Sequence, residues 1–277
     1  MKDLKSPLRY PGGKTRATDF LFSDENMPID SIKEYREPFL GGGSMAVEFT
    51  RRYPDIPVWV NDIDPLVAKF WQVLQNDPYQ LITQLLETKK SSNIRADFDY
   101  CKSLSQDISK LDDMTVAWCF FILNKCGFSG LTASGFSQQA SEQNFSVKNI
   151  HNLEYFSKHI QHWRITNDDY GVMLDGDGFI YLDPPYAKVG KDGNSFLYGR
   201  GGKTHRDFDH DRFHEEVDAL PTNCMISYDN NPHLCNLYSN WRQQTFDLTY
   251  TMHSGKAYRE NEKGRKELLL MNYEETP

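Results

Sequence analysis

Three short apolar runs, each followed within two residues by an aspartate, place the strongest constraint on how this chain can fold. The runs are VWV at 58–60, FIYL at 179–182 and CMISY at 224–228. Apolar runs of this length, bounded by turn-forming residues, indicate buried strands. Helical patterns lie between them and are predicted to begin at Asp64-Pro65 and at Pro78, because aspartate caps a helix and proline fits its first turn. Strands that alternate with helices predict an α/β fold around a mainly parallel sheet.

Two further patterns complete the predicted organisation. FDLTYTM at 246–252 and KELLLMNY at 266–273 predict a terminal antiparallel pair of strands. From about Phe70 to Trp163, helical patterns dominate and strand signals are few, and the stretch from Gly127 to Asn149 is rich in polar residues. We therefore predict an inserted, mostly helical subdomain with an exposed polar loop. The predicted division is a discontinuous domain of residues 1–70 and 165–277, with the insertion at 71–164.

The composition is that of an ordinary soluble protein and excludes several classes. The formal net charge of −8 argues against wholesale attraction to nucleic acid but leaves room for a local basic channel. One basic segment, from Ala187 to Arg206, holds five cations and one anion. No apolar run approaches the roughly 20 residues of a membrane helix, and the five cysteines contain no C-x-x-C pair. We expect a cytoplasmic protein with reduced thiols, no disulfide frame and no zinc site.

The segment PGGKT at 11–15 ends like a phosphate-binding loop, but its spacing excludes that function. A Walker A loop needs a glycine five residues before the glycine of its Gly-Lys-Thr. That position is Leu8 in this chain, and no apolar strand leads into the segment. The segment is therefore either a plain glycine turn or part of another kind of binding site.

A glycine-rich stretch predicts a nucleoside site. In REPFLGGGSMAVEF, the residues Gly41, Gly43 and Ala46 satisfy the G-x-G-x-x-G/A spacing, which allows close backbone approach to a ligand at the start of a helix. Asp62 follows Gly41 by 21 residues at the end of the VWV run, where a carboxylate can accept both hydroxyls of a ribose. The alternative is a glycine-rich loop beside a coincidental aspartate.

The strongest chemical signal is Asp183-Pro184-Pro185-Tyr186, which follows the FIYL run. An acid at the carboxyl end of a strand lies where open α/β sheets bind ligands. The two prolines remove two donors and fix the backbone, so that carbonyl groups face outward beside a flat aromatic ring. Such a site suits the exocyclic amino group of a base. A rigid turn at the end of a strand is the alternative.

Taken in order, these motifs resemble those of the Dam-type DNA adenine-N6 methyltransferases. The matching segments are PGGK at 11–14, EPFLGGG at 37–43, Asn61-Asp62 and DPPY at 183–186. The resemblance extends from residue 7 to about residue 273, since the ending KAYRENEKGRKELLLMNY is also similar. It implies a Rossmann-like S-adenosylmethionine-dependent methyltransferase sheet with an inserted, mostly helical target-recognition subdomain.

The resemblance also implies roles for individual residues. S-adenosylmethionine would be the cofactor, with Tyr10 and Lys14 at its methionine end and Lys14 near its carboxylate. By the same resemblance, the cofactor loop is lined by Phe39, Gly41 and Gly43, and the ribose is held by Asp62. The adenine of the cofactor is flanked by Asp169 and Tyr170. The target adenine is held by Asp183, Pro184, Pro185 and Tyr186, and Asp183 is assigned to the cofactor as well.

The DNA-contacting residues are predicted from the insertion and the basic segment. NKCGFSGL at 124–131 resembles the NRxxYNGL stretch of the family, but this chain continues with TASGF where GATC-methylating members have Arg-x-Asn. Recognition of GATC is therefore not implied. Phe128 is a candidate for wedging into the base stack, with a core phenylalanine as the alternative. The other candidates for DNA contact are Lys125, Gln138, Gln139, Asn144, Lys148, Arg200 and Lys203.

Double-stranded DNA is the expected partner, with an adenine flipped out of the duplex as methyl acceptor. A cognate restriction endonuclease is a further candidate partner. We expect a monomer or weak dimer that binds no membrane. We also expect no metal site, because His210 and His214 lie on a charged helical pattern typical of a solvated face. Three alternatives stay open: an NAD-type oxidoreductase, which leaves DPPY unexplained; a methyltransferase for RNA or a protein amide; and a non-catalytic DNA-binding protein. The order of the motifs favours the DNA enzyme.

Overall fold

A single sheet forms the centre of the protein. The computed structural model describes residues 6–10, 12–91, 93–186, 208–247 and 266–274. The strands of these residues are β1 (Tyr35–Glu37), β2 (Val58–Asn61), β3 (Trp163–Thr166), β4 (Phe179–Leu182), β5 (Cys224–Asp229), β6 (Arg242–Asp247) and β7 (Lys266–Met271). Their order across the sheet is β3-β2-β1-β4-β5-β7-β6. The first five strands in that order run parallel, whereas β7 is antiparallel to both β5 and β6.

Helices flank this sheet and fill the segment between β2 and β3. The α-helices of the described residues are α1 (Thr18–Leu21), α2 (Ser44–Arg52), α3 (Pro65–Asn76), α4 (Pro78–Lys90), α5 (Ile94–Leu104), α6 (Asp113–Cys126), α7 (Gln138–Asn144), α8 (Val147–His159), α9 (His210–Asp218) and α10 (Pro232–Leu237). The predicted α/β fold with a helical insertion is thus confirmed. None of the described helices combines the length and the apolar character that a bilayer crossing requires.

The local signals for helix starts are confirmed, and one loop prediction is corrected. The side chain of Asp64 accepts a hydrogen bond from the Leu66 amide at the start of α3, and α4 begins at Pro78. The stretch 127–149 was expected to be an exposed polar loop, but α7 forms within it. Its start is stabilised by Ser137, whose side chain accepts from the Ala140 amide, so polar composition alone was a poor guide there.

The terminal antiparallel pair is confirmed for the described residues, although its bounds differ. The predicted strand at 246–252 begins earlier, at Arg242, and residues 248–252 lie outside the described part of the chain. β1 and β3 were not predicted from the sequence. β1 has only the letters YRE, yet it lies between β2 and β4. Its buried Arg36 is satisfied by the Glu34 carboxylate at 2.5 Å and packs 5.2 Å from the Trp59 ring centre, so a charged residue fits a central strand.

The sheet and the insertion share one hydrophobic core. Tyr35 and Val60 of the sheet belong to the same buried cluster as Phe70, Phe120 and Phe121 of the helices. The ring of Phe70 lies 5.4 Å from that of Phe120 and 5.8 Å from that of Phe121. The division at position 71 falls inside the continuous helix α3. The domain division therefore stays a proposal about function, since the buried core of the insertion is continuous with that of the sheet.

Candidate active site

A pocket opens at the carboxyl ends of β1, β2 and β4, where parallel sheets place their ligands. Six residues predicted for the site line it: Tyr10, Phe39, Gly41, Asp62, Asp183 and Pro185. Four separate stretches of sequence thus meet at one edge of the sheet.

The glycine turn between β1 and α2 forms the floor of the pocket, and side chains pack tightly against it. Gly41 and Gly43 have φ values of +48° and +66°, in the left-handed region that favours glycine. A Cβ at Gly41 would lie 2.6 Å from the Tyr10 ring, and one at Gly43 would lie 2.6 Å from the Trp71 ring. Both positions therefore require glycine for two independent reasons.

Asp62 ties the turn after β2 to the glycine turn. Its Oδ2 accepts from the Gly41 amide at 2.7 Å, and its Oδ1 accepts from the Asp64 amide at 2.9 Å. Burial, and secondarily the charge of Asp64, raises the pKa of the Asp62 carboxyl to about 7. The half-exposed side chain of Ile63 follows it and also lines the pocket. This pairing of a buried acid with an apolar neighbour suits the sugar and ring of a nucleoside.

Asp183 is held by two polar side chains. Lys14 Nζ donates to its Oδ1 at 2.7 Å and also to the Gly12 carbonyl at 3.0 Å. Ser227 Oγ donates to the same Oδ1 at 3.0 Å, and the Tyr181 hydroxyl lies 2.8 Å from Ser227 Oγ. No hydrogen bond from the described residues reaches Oδ2 of Asp183. Lys14 is fully buried. The family resemblance placed it near the carboxylate of the cofactor and did not predict its ion pair with Asp183.

Tyr186 belongs to the same network. Its hydroxyl donates to Glu267 Oε2 at 2.5 Å, and the Lys14 ammonium lies 5.0 Å from the centre of its ring. Pro184 and Pro185 are buried between the two ends of the motif. The four residues of the DPPY motif are therefore anchored at the acid and at the aromatic ring.

Three residues of the site, Glu37, Ser227 and Glu267, were not predicted from the sequence to have a role in it. Glu37 lines the pocket and accepts from the Tyr35 hydroxyl at 3.1 Å, and its burial raises the pKa of its carboxyl well above the usual range. Ser227 and Glu267 hold Asp183 and Tyr186. A shared signal was available: each is a polar residue within two positions of the end of a strand, as are Asp62 and Asp183.

The predicted pair Asp169 and Tyr170 is split between two environments. The ring of Tyr170 lies 5.5 Å from the pocket-lining ring of Phe39, and its hydroxyl donates to Glu216 at 2.5 Å. Asp169 is exposed, and its Oδ1 accepts from the Gly171 amide of its own turn at 2.9 Å. Tyr170 thus supports the wall of the pocket, while Asp169 is engaged locally.

The predicted DNA-contacting residues differ in accessibility. Phe128 is 58% exposed in a 3-10 turn that follows α6, and Gln138, Gln139 and Lys148 are exposed. Asn144 is half-buried and donates to the Ala140 carbonyl at 2.8 Å. Arg200 and Lys203 lie outside the described residues.

Lys125 is enclosed and does not present its charge to a phosphate in this conformation. It is 5% exposed, with its Nζ 5.3 Å from the Phe121 ring centre. Burial, with a smaller contribution from the charge of Arg9, lowers the pKa of this lysine to about 8. The reason is its position in the last turn of α6, where it faces the core.

The turn that carries Phe128 is fastened to the N-terminal segment of the pocket. Asn124 Nδ2 donates to the Arg9 carbonyl at 2.7 Å and to the Gly130 carbonyl at 3.0 Å, and its Oδ1 accepts from the Arg9 amide at 3.0 Å. The next residue, Tyr10, lines the pocket. One amide side chain therefore joins the pocket to the exposed turn.

Comparisons with known proteins agree with this geometry. The family model of D12 class N6 adenine-specific DNA methyltransferase matches residues 10–260. Type II methyltransferase M.MjaIII of Methanocaldococcus jannaschii is 25% identical over 256 residues, which cover 81% of this chain and 84% of the relative. A DNA adenine methylase of Vibrio cholerae is 27% identical over 215 residues, covering 74% of this chain and 73% of the relative. Type II methyltransferase M1.LlaDCHI of Lactococcus lactis subsp. cremoris is 21% identical and covers 98% of this chain and 96% of the relative.

The family match covers well over half of the chain and includes the glycine turn, Asp62 and the DPPY motif. The resemblance read from the ordered motifs is thereby confirmed, as is the adenine-specific activity on DNA that it implied. This chain belongs to the D12 class of N6 adenine-specific DNA methyltransferases.

Proposed function

We propose that the pocket at the carboxyl ends of β1, β2 and β4 methylates N6 of an adenine that has been flipped out of a short DNA recognition sequence. Membership of the family implies S-adenosylmethionine as methyl donor and DNA as substrate. The observation that carries the proposal is Asp183, which lines the pocket while Lys14 and Ser227 both bond to its Oδ1. This arrangement leaves its Oδ2 to accept a hydrogen bond from an amino group.

The residues present fit S-adenosylmethionine. The glycine turn at Gly41 and Gly43 allows close backbone approach, and the buried carboxyl of Asp62 can accept from ribose hydroxyls. Phe39 and Ile63 offer apolar surface for a purine ring. Tyr10 also lines the pocket, as does Gly13, the residue before the buried Lys14. When bound, S-adenosylmethionine supplies an electrophilic methyl group.

The DPPY motif prepares the adenine for attack. The lone pair of the amino nitrogen is delocalised into the ring, so the free base is a poor nucleophile. Asp183 Oδ2 and the Pro184 carbonyl each accept a hydrogen bond from the amino group, which favours a pyramidal nitrogen with an available lone pair. Tyr186 stacks on the ring and helps offset the few kcal/mol, roughly, that flipping costs. Orientation and electrostatics provide the acceleration, with no covalent enzyme intermediate.

Residues 71–164 are proposed as the target-recognition region. Phe128 is exposed in a turn that Asn124 fastens beside the pocket, which supports a role in wedging into the stack or packing on a base. Gln138, Gln139 and Lys148 are exposed and can reach base edges or phosphates, as can Arg200 and Lys203 of the basic segment. Lys125 is the weakest of these candidates because it is enclosed.

The partners of the enzyme are proposed from its substrate and its relatives. Two of the relatives are named as type II methyltransferases, which supports a cognate restriction endonuclease as a partner of this chain. A monomer or weak dimer that acts in the cytoplasm, where its DNA lies, is consistent with a site built from one chain.

Methylation in a host without DNA methyltransferases tests this function. Single-molecule sequencing of DNA from cells expressing the chain should reveal N6-methyladenine at one short motif. Asp183→Asn is the matched control, because it keeps the size of the side chain but presents an amide in place of the carboxylate. We expect no methylation with this variant.

Binding of S-adenosylmethionine is measured in parallel with the purified unaltered protein and the purified Asp183→Asn variant. If the unaltered protein binds it but no modified adenine appears in the DNA, the proposal of an adenine in DNA is wrong. Transfer of labelled methyl groups to RNA or to protein amides would then identify the acceptor.

A further inference from the structure

Glu267 is a buried acid at the start of a mostly apolar strand. It is fully buried, and the four residues after it in β7, Leu268 to Met271, are buried and apolar. A carboxylate in such surroundings costs free energy unless hydrogen bonds compensate it. An apolar side chain would serve a purely structural strand better, so the presence of this acid calls for a functional reason.

That reason lies in its contact with the DPPY motif. The Tyr186 hydroxyl donates to Glu267 Oε2 at 2.5 Å. A bond at the tip of the side chain restricts rotation about its first torsion angle and so fixes where the ring lies. The ammonium of Lys14, 5.0 Å from the ring centre, restrains the same ring from another direction.

The strand pair beneath the site gives this contact a rigid base. In the register of β5 and β7, Glu267 lies opposite Asp229, and Ser227 precedes Asp229 by two residues. Side chains of paired residues, and of residues two apart, project from the same face of a sheet. Ser227, which bonds to Asp183, and Glu267, which bonds to Tyr186, therefore rise from one face of two hydrogen-bonded strands.

We propose that Glu267 is a positioning residue for adenine methylation, which acts through Tyr186 by holding its ring at a fixed offset from Asp183. The inference rests on the proposed function of the DPPY motif. Binding of the adenine would not require the Tyr186 ring to be held at one fixed position. In-line methyl transfer does require it, because the rate is sensitive to displacements of about 1 Å.

A double-mutant cycle of Glu267→Gln and Tyr186→Phe tests the proposal. Each change keeps the shape of its side chain. We expect each single variant to lower kcat on DNA by roughly 10- to 100-fold, as for loss of a hydrogen bond to a charged group. We expect the double variant to be no slower than the slower single variant, because both changes remove the same contact. The affinity for S-adenosylmethionine should change less than twofold, roughly, since the bond lies on the adenine side of the site.

The chain offers a matched control in the Tyr170–Glu216 bond, which has the same 2.5 Å length and lies beside the cofactor wall. In a double variant of Glu216→Gln and Tyr186→Phe, we expect the fold-reduction in kcat to equal the product of the two single fold-reductions. The positioning role is overturned if the effects of Glu267→Gln and Tyr186→Phe also multiply, or if Glu267→Gln lowers only the melting temperature. If the unaltered enzyme methylates no adenine, the proposed function itself has failed.

Discussion

At Asp62, burial sets the pH range over which the proposed ribose contact can form. The pKa of this carboxyl is raised to about 7, and ribose hydroxyls donate to its ionised form. Protonation therefore opposes binding, and the affinity for S-adenosylmethionine should fall by up to about tenfold per pH unit below pH 7. Isothermal titration calorimetry between pH 5.5 and 8.5, roughly, measures this dependence.

Asp62→Asn is the control for that dependence. It should bind more weakly at high pH and show a flat profile, because an amide does not titrate in this range. A wild-type profile that is equally flat would contradict the assignment of Asp62 to the ribose.

Ser227 acts on the acid of the active site. Its hydroxyl donates to Asp183 Oδ1 at 3.0 Å, so Ser227→Ala removes one of two bonds that orient the carboxylate. We expect kcat to fall by roughly tenfold, in keeping with one lost hydrogen bond to a charged group. The dissociation constants for DNA and S-adenosylmethionine should remain unchanged. Steady-state kinetics with fluorescence anisotropy separate these effects, and a loss confined to DNA affinity would contradict this role.

Among the structural elements, the turn from Phe128 to Gly130 depends on close contact with the N-terminal segment. Gly130 has a φ of +75°, and a Cβ there would collide with the Arg9 backbone. Gly130→Ala should destabilise the protein by about 1–3 kcal/mol and weaken the binding of both DNA and S-adenosylmethionine. Thermal unfolding and binding assays measure these losses.

Gly135→Ala is the matched control in the same loop, since a Cβ at Gly135 meets no atom within 4 Å. We expect that variant to behave like the unaltered protein. Equal effects of the two substitutions would show that the loop tolerates no side chain anywhere, and that contact with Arg9 is not the cause.

The elements also show where sequence reasoning succeeds and where it stops. β2, β4 and β5 were predicted because their apolar runs end at turn residues, and the start of α3 because Asp64 and Pro65 satisfy helix-end chemistry. β1 was not predicted, because Arg36 gains its partners only in the tertiary structure. The same limit applies to the site. Motif spacing gave Asp62 and Asp183, whereas the bonds of Ser227 and Glu267 come from strand pairing that no local pattern encodes.

At the scale of the whole molecule, the shared core predicts cooperative unfolding. Phe70 is fully buried in the cluster that holds residues of both the sheet and the insertion, and it packs against Phe120 and Phe121. Phe70→Ala should cost about 3–5 kcal/mol and lower the melting temperature of both parts together. Calorimetry should show one transition, and far- and near-ultraviolet circular dichroism should coincide.

Phe128→Ala provides the comparison, because its ring is 58% exposed and its removal should change stability by less than about 0.5 kcal/mol. Two separate transitions in the Phe70→Ala protein would contradict a common core and would favour two independent folding units.

The network around Asp183 has a consequence for synthesis of the enzyme. It joins Lys14, Asp183, Ser227 and, through Tyr186, Glu267. A ribosome makes these residues in order, and β7 enters the sheet between β5 and β6. A nascent chain that has passed Asp183 still lacks the strand that holds Tyr186. If Glu267 positions Tyr186 as proposed, we expect unfinished chains to methylate DNA poorly until residue 267 has left the ribosomal exit tunnel.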